Sequence, residues 1–429
     1  MPYGCGNVYG NIYGKGSGAK KVMDNTVLKN ALIQYFEKGQ KKERHRNIGV
    51  EIEHFILRSD TLEAVSYEGV LGVKGVLARL MKLYPEAKIL PGEDLLGFET
   101  PEFLITLEPA AQLEISLAPC EDAVEIDKRY GAFLANLESV LQPMGYCAMT
   151  VGCQPVSVVR SLSLIPKERY RLMDRHFAKT GTGGVEMMRG TASAQVSADY
   201  FSEEDFSRKI QAMYFLSPTL KLLTDSANRF EGKKLERRLK RTDIWNRTDP
   251  SRCGVLPGIF SPDYGYADYA DFLCAMPPIF LTEKGECRPT GFRTAGELFA
   301  EKNPTEEDVV HILSMAFPDI RLKRYLEIRI ADAADKARMT AYFALVKGLV
   351  YSEEALDFCQ EKIRAFNLTE KDIRQTEDNL SRRGWDGSMY GRLSVRNFAR
   401  EIVGLAARNL PEQEAQMLPV LLEPIERKT

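Results

Sequence analysis

Alternation of apolar and polar residues predicts a strand in the segment "IGVEIEHFIL", which covers residues 48–57. Read with a period of two, Val50 and Ile52 fall on one face, and Glu51 and Glu53 fall on the other. Side chains on the same face of a strand stand roughly 7 Å apart. The two carboxylates are therefore close together, and the sequence places no basic residue between them.

Three further segments share this two-faced pattern: "AQLEISL", "TASAQVSAD" and "RYLEIRI". Each predicts a strand with one apolar face and one polar face. The polar faces carry mostly Glu, Gln and Ser, and they lack the lysines that are usual on a solvated face. Their notable polar residues are Gln112 and Glu114 in the first segment, Ser193 and Gln195 in the second, and Glu327 and Arg329 in the third.

Helical periodicity separates these strands. It predicts helices at 25–40, 72–85 and about 121–141, at 201–225 with a break near Pro218, and at 305–317. A strand pair is predicted within 103–117, and 338–429 is predicted to be mostly helical. The fold class is therefore α+β. We expect residues 1–21 to form a flexible Gly-rich arm and residues 22–429 to form a single domain.

Composition narrows the class of protein. The chain has 429 residues, 44% of them apolar and 28% charged, and its net charge of −2 gives no support for a nucleic-acid or membrane partner. No apolar run approaches the length of a membrane-spanning helix. The eight cysteines are scattered and form no Cys-x-x-Cys pair, and there are only four histidines. These counts predict reduced thiols, a cytoplasmic location and no zinc site.

The polar strand faces have two interpretations. One is a sheet with a wet face, which antiparallel sheets often have. The other is a cleft in which clustered carboxylates hold divalent cations. Two observations favour the cleft: the polar faces are short of lysine, and they carry glutamate although it is a poor strand former. Ligands that are all oxygen favour Mg²⁺ or Mn²⁺. Such an ion keeps open positions for nucleotide phosphates.

Six segments in this order resemble the glutamate–cysteine ligases of the plant and proteobacterial type. They are "IGVEIE", "ITLEPAAQLEISLAP", "PKERYRLM", "MMRGTASAQVSAD", "DIWNRTDPSRCG" and "FPDIRLKRYLEIRIAD". The resemblance implies a fold similar to the catalytic domain of glutamine synthetase. That fold is a curved, mainly antiparallel sheet with a polar concave face and helices packed outside.

The resemblance also implies a two-step reaction that begins glutathione synthesis. ATP phosphorylates the γ-carboxylate of L-glutamate, and the amine of L-cysteine then attacks the γ-glutamyl phosphate. The implied substrates are ATP, L-glutamate and L-cysteine, the implied metal is Mg²⁺ (or Mn²⁺), and the chain is expected to be a monomer or homodimer.

Roles for individual residues follow from the same resemblance. Those implied to bind metal are Glu51, Glu53, Glu114 and Glu327. Arg329 is implied to stabilise the transferred phosphoryl group or to hold a carboxylate of glutamate, and Arg252 to bind the substrate carboxylate. Those implied to bind substrate or nucleotide are Gln195, Ser193, Trp245 and Glu108. Glu108 alternatively orders the loop before Pro109, and Trp245 is alternatively a core aromatic residue.

Two segments depart from the family pattern. Ala110 and Ala111 stand where the family commonly has two glycines, so the backbone there has less conformational freedom. The segment "IADAADKAR" (330–338) lacks the family's Gly-Gly-Pro-Trp. It therefore leaves open a γ-glutamyl ligase that uses another amine, or a non-catalytic protein that binds glutamate or nucleotide.

Overall fold

The computed structural model describes residues 26–42, 45–283 and 286–426. The strands of this part of the chain are β1 Ile48–Arg58, β2 Lys88–Ile89, β3 Gly97–Glu99, β4 Phe103–Leu107, β5 Leu113–Cys120, β6 Tyr146–Met149, β7 Ser193–Ala198, β8 Arg229–Phe230, β9 Lys233–Lys234, β10 Cys253–Gly254, β11 Phe280–Glu283, β12 Glu286–Pro289, β13 Phe317–Pro318, β14 Ile320–Leu322, β15 Leu326–Asp332, β16 Ser388–Met389 and β17 Leu393–Ser394. The α-helices are α1 Thr26–Glu37, α2 Val73–Leu80, α3 Ala123–Leu141, α4 Glu168–Thr180, α5 Gly184–Gly190, α6 Glu203–Thr224, α7 Lys240–Asn246, α8 Tyr266–Ala275, α9 Ala295–Leu298, α10 Glu306–Leu313, α11 Lys336–Val350, α12 Glu353–Phe366, α13 Glu370–Arg383, α14 Val395–Arg408, α15 Glu412–Ala415 and α16 Glu423–Glu426.

A nine-stranded antiparallel sheet organises the fold. Its strand order is β14-β15-β7-β1-β5-β4-β3-β2, and β6 pairs with the far end of β1. The first long strand of the chain thus lies in the middle of the sheet, between β5 and β7. β15 joins the sheet late in the sequence, as the antiparallel partner of β7.

The apolar faces of these strands turn to the helices. Val50 and Ile52 of β1 and Ile328 of β15 are at most 2% exposed. They belong to one continuous apolar core that runs from Leu28 in α1 to Ile425 in α16. The α+β class and the antiparallel sheet are therefore confirmed, and so is the helical character of residues 338–426. Within the described residues, no helix is both long and apolar enough to cross a bilayer.

The long helices begin at side-chain caps that the sequence supplies. Asp122 accepts a hydrogen bond from the Glu125 N–H at the start of α3, and Ser202 accepts one from the Asp205 N–H at the start of α6. Each cap satisfies one of the backbone donors that a helix N-terminus leaves free. These caps define the residues at which α3 and α6 begin.

The predicted break in the helix near Pro218 is wrong, because α6 continues through this proline. A proline cannot donate to the carbonyl four residues earlier, which here belongs to Tyr214. The hydroxyl of Ser217 donates to that carbonyl at 2.9 Å instead. The helix is also buried on all sides around this point, so packing holds it together.

Asp225 and Asp332 form a buried acidic pair at the end of β15, near Arg241. Asp225 Oδ1 accepts from the Leu239 N–H at 3.0 Å, and Asp332 Oδ2 accepts from the Ser226 N–H at 3.3 Å. Burial, followed by the charge of Asp225, raises the pKa of Asp332 to about 7. Burial raises the pKa of Asp225 to about 6. The folded protein therefore keeps protons here that the unfolded chain releases.

We expect the substitution Asp332→Asn to stabilise the protein at high pH. A carboxyl whose pKa is raised on folding contributes fully at low pH, and this contribution is lost as the pH rises from about 4 to about 7. Removing this titrating carboxyl should raise the free energy of unfolding at pH 8 by up to about 4 kcal/mol relative to the unsubstituted protein. Urea denaturation at pH 4, 6 and 8 measures this difference, which should grow with pH. The exposed Asp263→Asn is the control, and an advantage independent of pH would contradict the prediction.

Candidate active site

A cavity of about 270 Å³ lies on the polar face of the sheet. Strands β1, β5, β7 and β15 contribute to it, together with α4, α5, α7 and the segment before β13. Its charged and polar lining side chains are Glu51, Glu53, Glu108, Gln112, Glu114, Arg169, Tyr170, Thr191, Ser193, Gln195, Arg241, Trp245, Ser314, Arg321, Lys323 and Arg329. The cleft interpretation of the polar strand faces, rather than the open wet sheet, thus describes this surface.

Strand register brings the predicted acidic residues together in one wall. Glu53 of β1 is the direct partner of Glu114 of β5, and Glu51 is the partner of Gln195 of β7. Opposed residues of an antiparallel pair lie about 4.5–5.5 Å apart. Glu108 follows β4 and lines the same cavity.

These carboxylates raise one another's pKa. Burial comes first, and then the charges of Glu51, Glu108 and Glu53, which together raise the pKa of Glu114 well above its ordinary value. Burial and the charge of Glu53 raise the pKa of Glu108 to about 7. A cation that enters the cavity would therefore stabilise the ionised form of these carboxylates.

Two of the acidic side chains are also held by hydroxyl and amide donors. Glu53 accepts from the Ser193 hydroxyl at 2.6 Å and from the Ser193 N–H at 2.9 Å. Glu114 accepts from the Thr106 hydroxyl at 2.8 Å. Ser193 therefore orients Glu53 in this structure, and Gln195 accepts from Arg329 Nη1 at 2.7 Å.

The other wall of the cavity is cationic, and it surrounds Glu327. Arg321 Nε lies 2.6 Å from Glu327 Oε2, Lys323 Nζ lies 2.6 Å from Oε1, and Arg329 Nη1 lies 3.0 Å from Oε2. Burial opposes the ionisation of Glu327, but these three cations outweigh it and hold the pKa of Glu327 well below its ordinary value. Both of its oxygens are engaged, so the assignment of Glu327 as a metal ligand stays a prediction.

Two further cations of the cavity were missed in the sequence. Arg169 donates to the Ser314 carbonyl at 2.5 Å, and Arg241 donates to the carbonyls of Ile330 and Arg329. Arg241 Nε and Trp245 Nε1 are buried and have no hydrogen-bond partner within the described part of the chain. The segment "PKERYRLM" contains Arg169, but nothing in its spacing distinguishes this arginine from the others there.

The structure places Arg252 outside the lining of the cavity, and its predicted role as a substrate-binding residue stays a prediction. Its side chain is 1% exposed and does not line the cavity. Nε donates to Asp249 at 2.7 Å, and the two terminal nitrogens donate to the Met315 and Pro277 carbonyls at 3.1 and 2.6 Å. Arg252 thus braces the segment that carries Ser314 and Phe317 into the cavity.

The donors of the acidic wall fit a hard divalent cation, although they do not form a preassembled shell. Among the described residues, no three acidic, histidine or cysteine side chains converge closely enough to hold a metal ion. The chemistry nevertheless fits, because the acidic side chains of the wall offer carboxylate oxygens. Burial, followed by the charges of neighbouring carboxylates, raises the pKa values of Glu51 and Glu114.

Comparison with known proteins places the chain in a family. The family model of glutamate–cysteine ligase family 2 matches residues 47–427. This chain belongs to that family. The resemblance deduced from the six sequence segments is thereby confirmed.

Plant members of the family are similar to this chain over most of its length. The chloroplastic glutamate–cysteine ligase of Medicago truncatula is 30% identical over 359 residues, which are 82% of this chain and 70% of that protein. The chloroplastic enzyme of Arabidopsis thaliana is 31% identical over 342 residues, which are 78% and 65% of the two chains. The chloroplastic ligase A of Oryza sativa subsp. indica is 29% identical over 90% of this chain and 79% of that protein.

A solved structure supports the fold. The glutamate–cysteine ligase of Francisella tularensis, crystallised in complex with AMP, superposes with a TM-score of 0.52 at 9% identity and covers 89% of this chain and 82% of that chain. The predicted architecture, a mainly antiparallel sheet with helices packed outside, is thus shared with this solved structure.

The predicted cytoplasmic location is contradicted by these plant relatives, all of which are chloroplastic. That prediction rested on scattered, unpaired cysteines. Cysteine usage reports whether a compartment is reducing, and it does not identify the compartment.

The alanines that depart from the family's Gly-Gly pattern close the turn between β4 and β5. Ala111 has φ +67°, which is the left-handed region, and its N–H donates to the Glu108 carbonyl at 2.9 Å. Gln112 Oε1 accepts from the Ala110 N–H at 2.9 Å. The turn therefore keeps its tight form despite the alanine, and it holds Glu108 at the cavity.

We expect Ala111→Gly to raise the free energy of unfolding by about 0.5–1 kcal/mol. The left-handed region costs a residue with a Cβ about 1–2 kcal/mol, and the greater freedom of glycine in the unfolded chain offsets part of this gain. Ala110→Gly is the matched control, because Ala110 lies outside the left-handed region and its substitution should destabilise the protein by a similar amount. Chemical denaturation measures the change in the free energy of unfolding of each variant. A loss of stability in both variants would contradict the prediction.

The second departure from the family pattern lies next to the cavity without lining it. Ile330 touches a small neighbouring pocket, but none of residues 331–335 lines the cavity. Ala333 packs against Phe55, Leu57 and Ala192, and its carbonyl accepts from the Ser226 hydroxyl at 2.7 Å. Residues 331–335 thus do not line the cavity, and the segment contacts the cavity wall through the Ile330 carbonyl, which accepts from Arg241 at 3.3 Å.

Proposed function

We propose that this protein joins the γ-carboxylate of L-glutamate to the amine of L-cysteine at the expense of ATP, as its family name indicates. A carboxylate oxygen of glutamate attacks the terminal phosphorus of ATP and releases ADP. The amine nitrogen of cysteine then attacks the acyl carbon of γ-glutamyl phosphate, releases phosphate and loses a proton. The observation that carries the proposal is the cavity itself, in which an acidic wall faces a cationic wall within a chain of this family.

We assign the acidic wall to the metal. Glu51, Glu53 and Glu114 would hold Mg²⁺, with Glu108 beside them, and Glu327 would join them only when its own cations are drawn elsewhere. The bound ion would neutralise charge on the phosphates of ATP. Ser193 contributes by orienting Glu53, and Gln195 by orienting Arg329.

The carboxylates of L-glutamate need donors, and Arg241 and Trp245 can supply them. Both line the cavity, and each carries a buried nitrogen without a partner in the described part of the chain. A buried donor left unpaired is costly, so a ligand oxygen there would be stabilising. These two side chains, rather than Arg252, are the better candidates for the substrate carboxylate, while Arg329 stays assigned to the transferred phosphoryl group.

The domain and assembly predictions remain part of this proposal. One apolar core from Leu28 to Ile425 supports a single catalytic domain for residues 22–429. The arm at residues 1–21 lies outside the described residues. A monomer or homodimer suffices, because the described residues of one chain supply both walls of the cavity.

The test is the release of ADP by purified protein supplied with ATP, Mg²⁺ and L-glutamate, to which candidate amines are added one at a time. L-cysteine should give the strongest stimulation, and mass spectrometry should find γ-glutamylcysteine. Stronger stimulation by another amine would identify that amine as the acceptor and would leave the two-step mechanism unchanged. ATP binding without turnover for any amine would refute the ligase assignment and favour a non-catalytic glutamate- or nucleotide-binding protein.

A further inference from the structure

The β14–β15 hairpin concentrates positive charge on one buried carboxylate. Arg321 and Glu327 are direct partners across the hairpin, and Lys323 stands at its turn, where its N–H donates to the Tyr325 carbonyl at 2.9 Å. Arg329 follows two residues after Glu327 on the same strand face. Three cations thus pair directly with one anion, and the carboxylate of Glu51 is the next acidic group that interacts with them, so this wall of the cavity keeps a net positive charge.

Glu327 does not use all of the N–H donors that these cations carry. Arg321 uses Nε for Glu327 and Nη1 for the Ala316 carbonyl, and Arg329 uses Nη1 for both Glu327 and Gln195. Neither arginine uses Nη2 in a hydrogen bond within the described residues, yet both guanidinium groups line the cavity. An arginine has five N–H donors in a planar fork that suits phosphate oxygens.

The two walls together select the kind of ligand. An excess of carboxylates on one side and an excess of cations on the other favour a ligand that carries a cation at one end and several anionic oxygens at the other. A phosphate chain bound to a divalent cation has this character. The carboxylate of Glu327 engages the three cations through two oxygens, whereas a terminal phosphoryl group offers them three oxygens and more negative charge.

We propose that Arg321 and Lys323, together with Arg329, hold the terminal phosphoryl group of the nucleotide, and that Glu327 occupies the place of this group in the substrate-free protein. The proposal rests on the proposed function for the identity of the phosphoryl donor. Phosphate arrival draws the three cations away from Glu327 and releases that carboxylate. Glu327 is then an internal competitor for the phosphate, and Arg321 and Lys323 are its binding residues.

The experiment measures the binding of inorganic triphosphate by calorimetry in EDTA, without divalent cations and without turnover. Lys323→Met should weaken binding at least tenfold, because it removes a binding cation. Glu327→Gln keeps the shape of the side chain and removes the competing charge, so it should tighten binding several-fold. These opposite signs separate the proposal from a merely structural role, which would weaken binding in both variants.

The matched control is Arg324→Gln, since Arg324 neighbours Lys323 in the chain but pairs with Glu306 and lies over the Tyr35 ring, away from the cavity. It should leave triphosphate binding unchanged. Unchanged binding in Lys323→Met, or weaker binding in Glu327→Gln with an unaltered melting temperature, would overturn the proposal. If Glu327→Gln does not fold, the Lys323→Met result decides. Failure of the ligase assay alone would overturn the proposed function and leave the binding result standing.

Discussion

Substitution of Glu53 by Gln is expected to reduce glutamate-dependent ADP release by at least roughly a hundredfold. Glu53 lies at the centre of the acidic wall, opposite Glu114 in the strand register, and it is 9% exposed. Glutamine keeps the length of the side chain and the bond from the Ser193 N–H, so the sheet should survive. The loss therefore reports the missing negative charge that a divalent cation would need. Initial rates at saturating ATP and glutamate, taken over a range of Mg²⁺ concentrations, measure it.

Two companions of Glu53→Gln sharpen the interpretation. Ser193→Ala removes the hydroxyl that donates to Glu53 at 2.6 Å, and we expect it to cost roughly tenfold, because the carboxylate remains but is less well oriented. Glu63→Gln changes an exposed glutamate just beyond β1 and should leave the rate unchanged. If Glu53→Gln kept more than a third of the activity, the assignment of the acidic wall to a metal would be wrong.

Substitution of Lys221 by Met should strongly destabilise the folded protein. Lys221 is 4% exposed, and its ammonium group lies 2.7 Å from Asp319 Oδ2 and 2.5 Å from Glu377 Oε1. Without it, two carboxylates would be left close together and buried. Breaking a buried ion pair in this way costs about 3–5 kcal/mol.

Urea denaturation monitored by circular dichroism measures the effect of Lys221→Met. The control is Lys302→Met, because Lys302 forms a 3.8 Å ion pair with Asp308 at the surface and should change the free energy of unfolding by less than about 1 kcal/mol. A second variant, Lys221→Met combined with Glu377→Met, should recover part of the lost stability by removing one of the two orphaned charges. Equal stability of Lys221→Met and Lys302→Met would show that the buried ammonium group is dispensable.

The sequence predicts the strands and their faces well because side-chain alternation is a local property. A period of two places Glu51, Glu53 and Glu114 on polar faces without knowledge of strand partners, and the structure lines one cavity with all three. The orientation of Glu327 toward the same polar face follows from the same rule. The alternation does not predict the strand register that places Glu53 opposite Glu114.

The electrostatic partners of these residues were harder to foresee. Glu327 looked like an unpaired carboxylate, since its cations are supplied partly by β14, a three-residue strand too short to show a periodic pattern. Arg252 is predicted to bind substrate because its motif matches, but a motif does not predict burial, and the structure buries this side chain outside the cavity lining. Arg241 comes from helix α7, and only tertiary packing brings it to β15.

The strand order of the sheet also constrains how the protein folds on the ribosome. β1 emerges first and pairs with β5, but β7 becomes an interior strand only when β15, which ends at Asp332, is added beside it. Until then β7 is an open edge, with backbone groups that invite pairing with another chain. Pairings across such sequence distances give a high contact order, which favours slow folding. The hairpin that carries the three cations is therefore the closing element of the sheet, so a nascent chain that stalls before it exposes an edge and has no catalytic cavity.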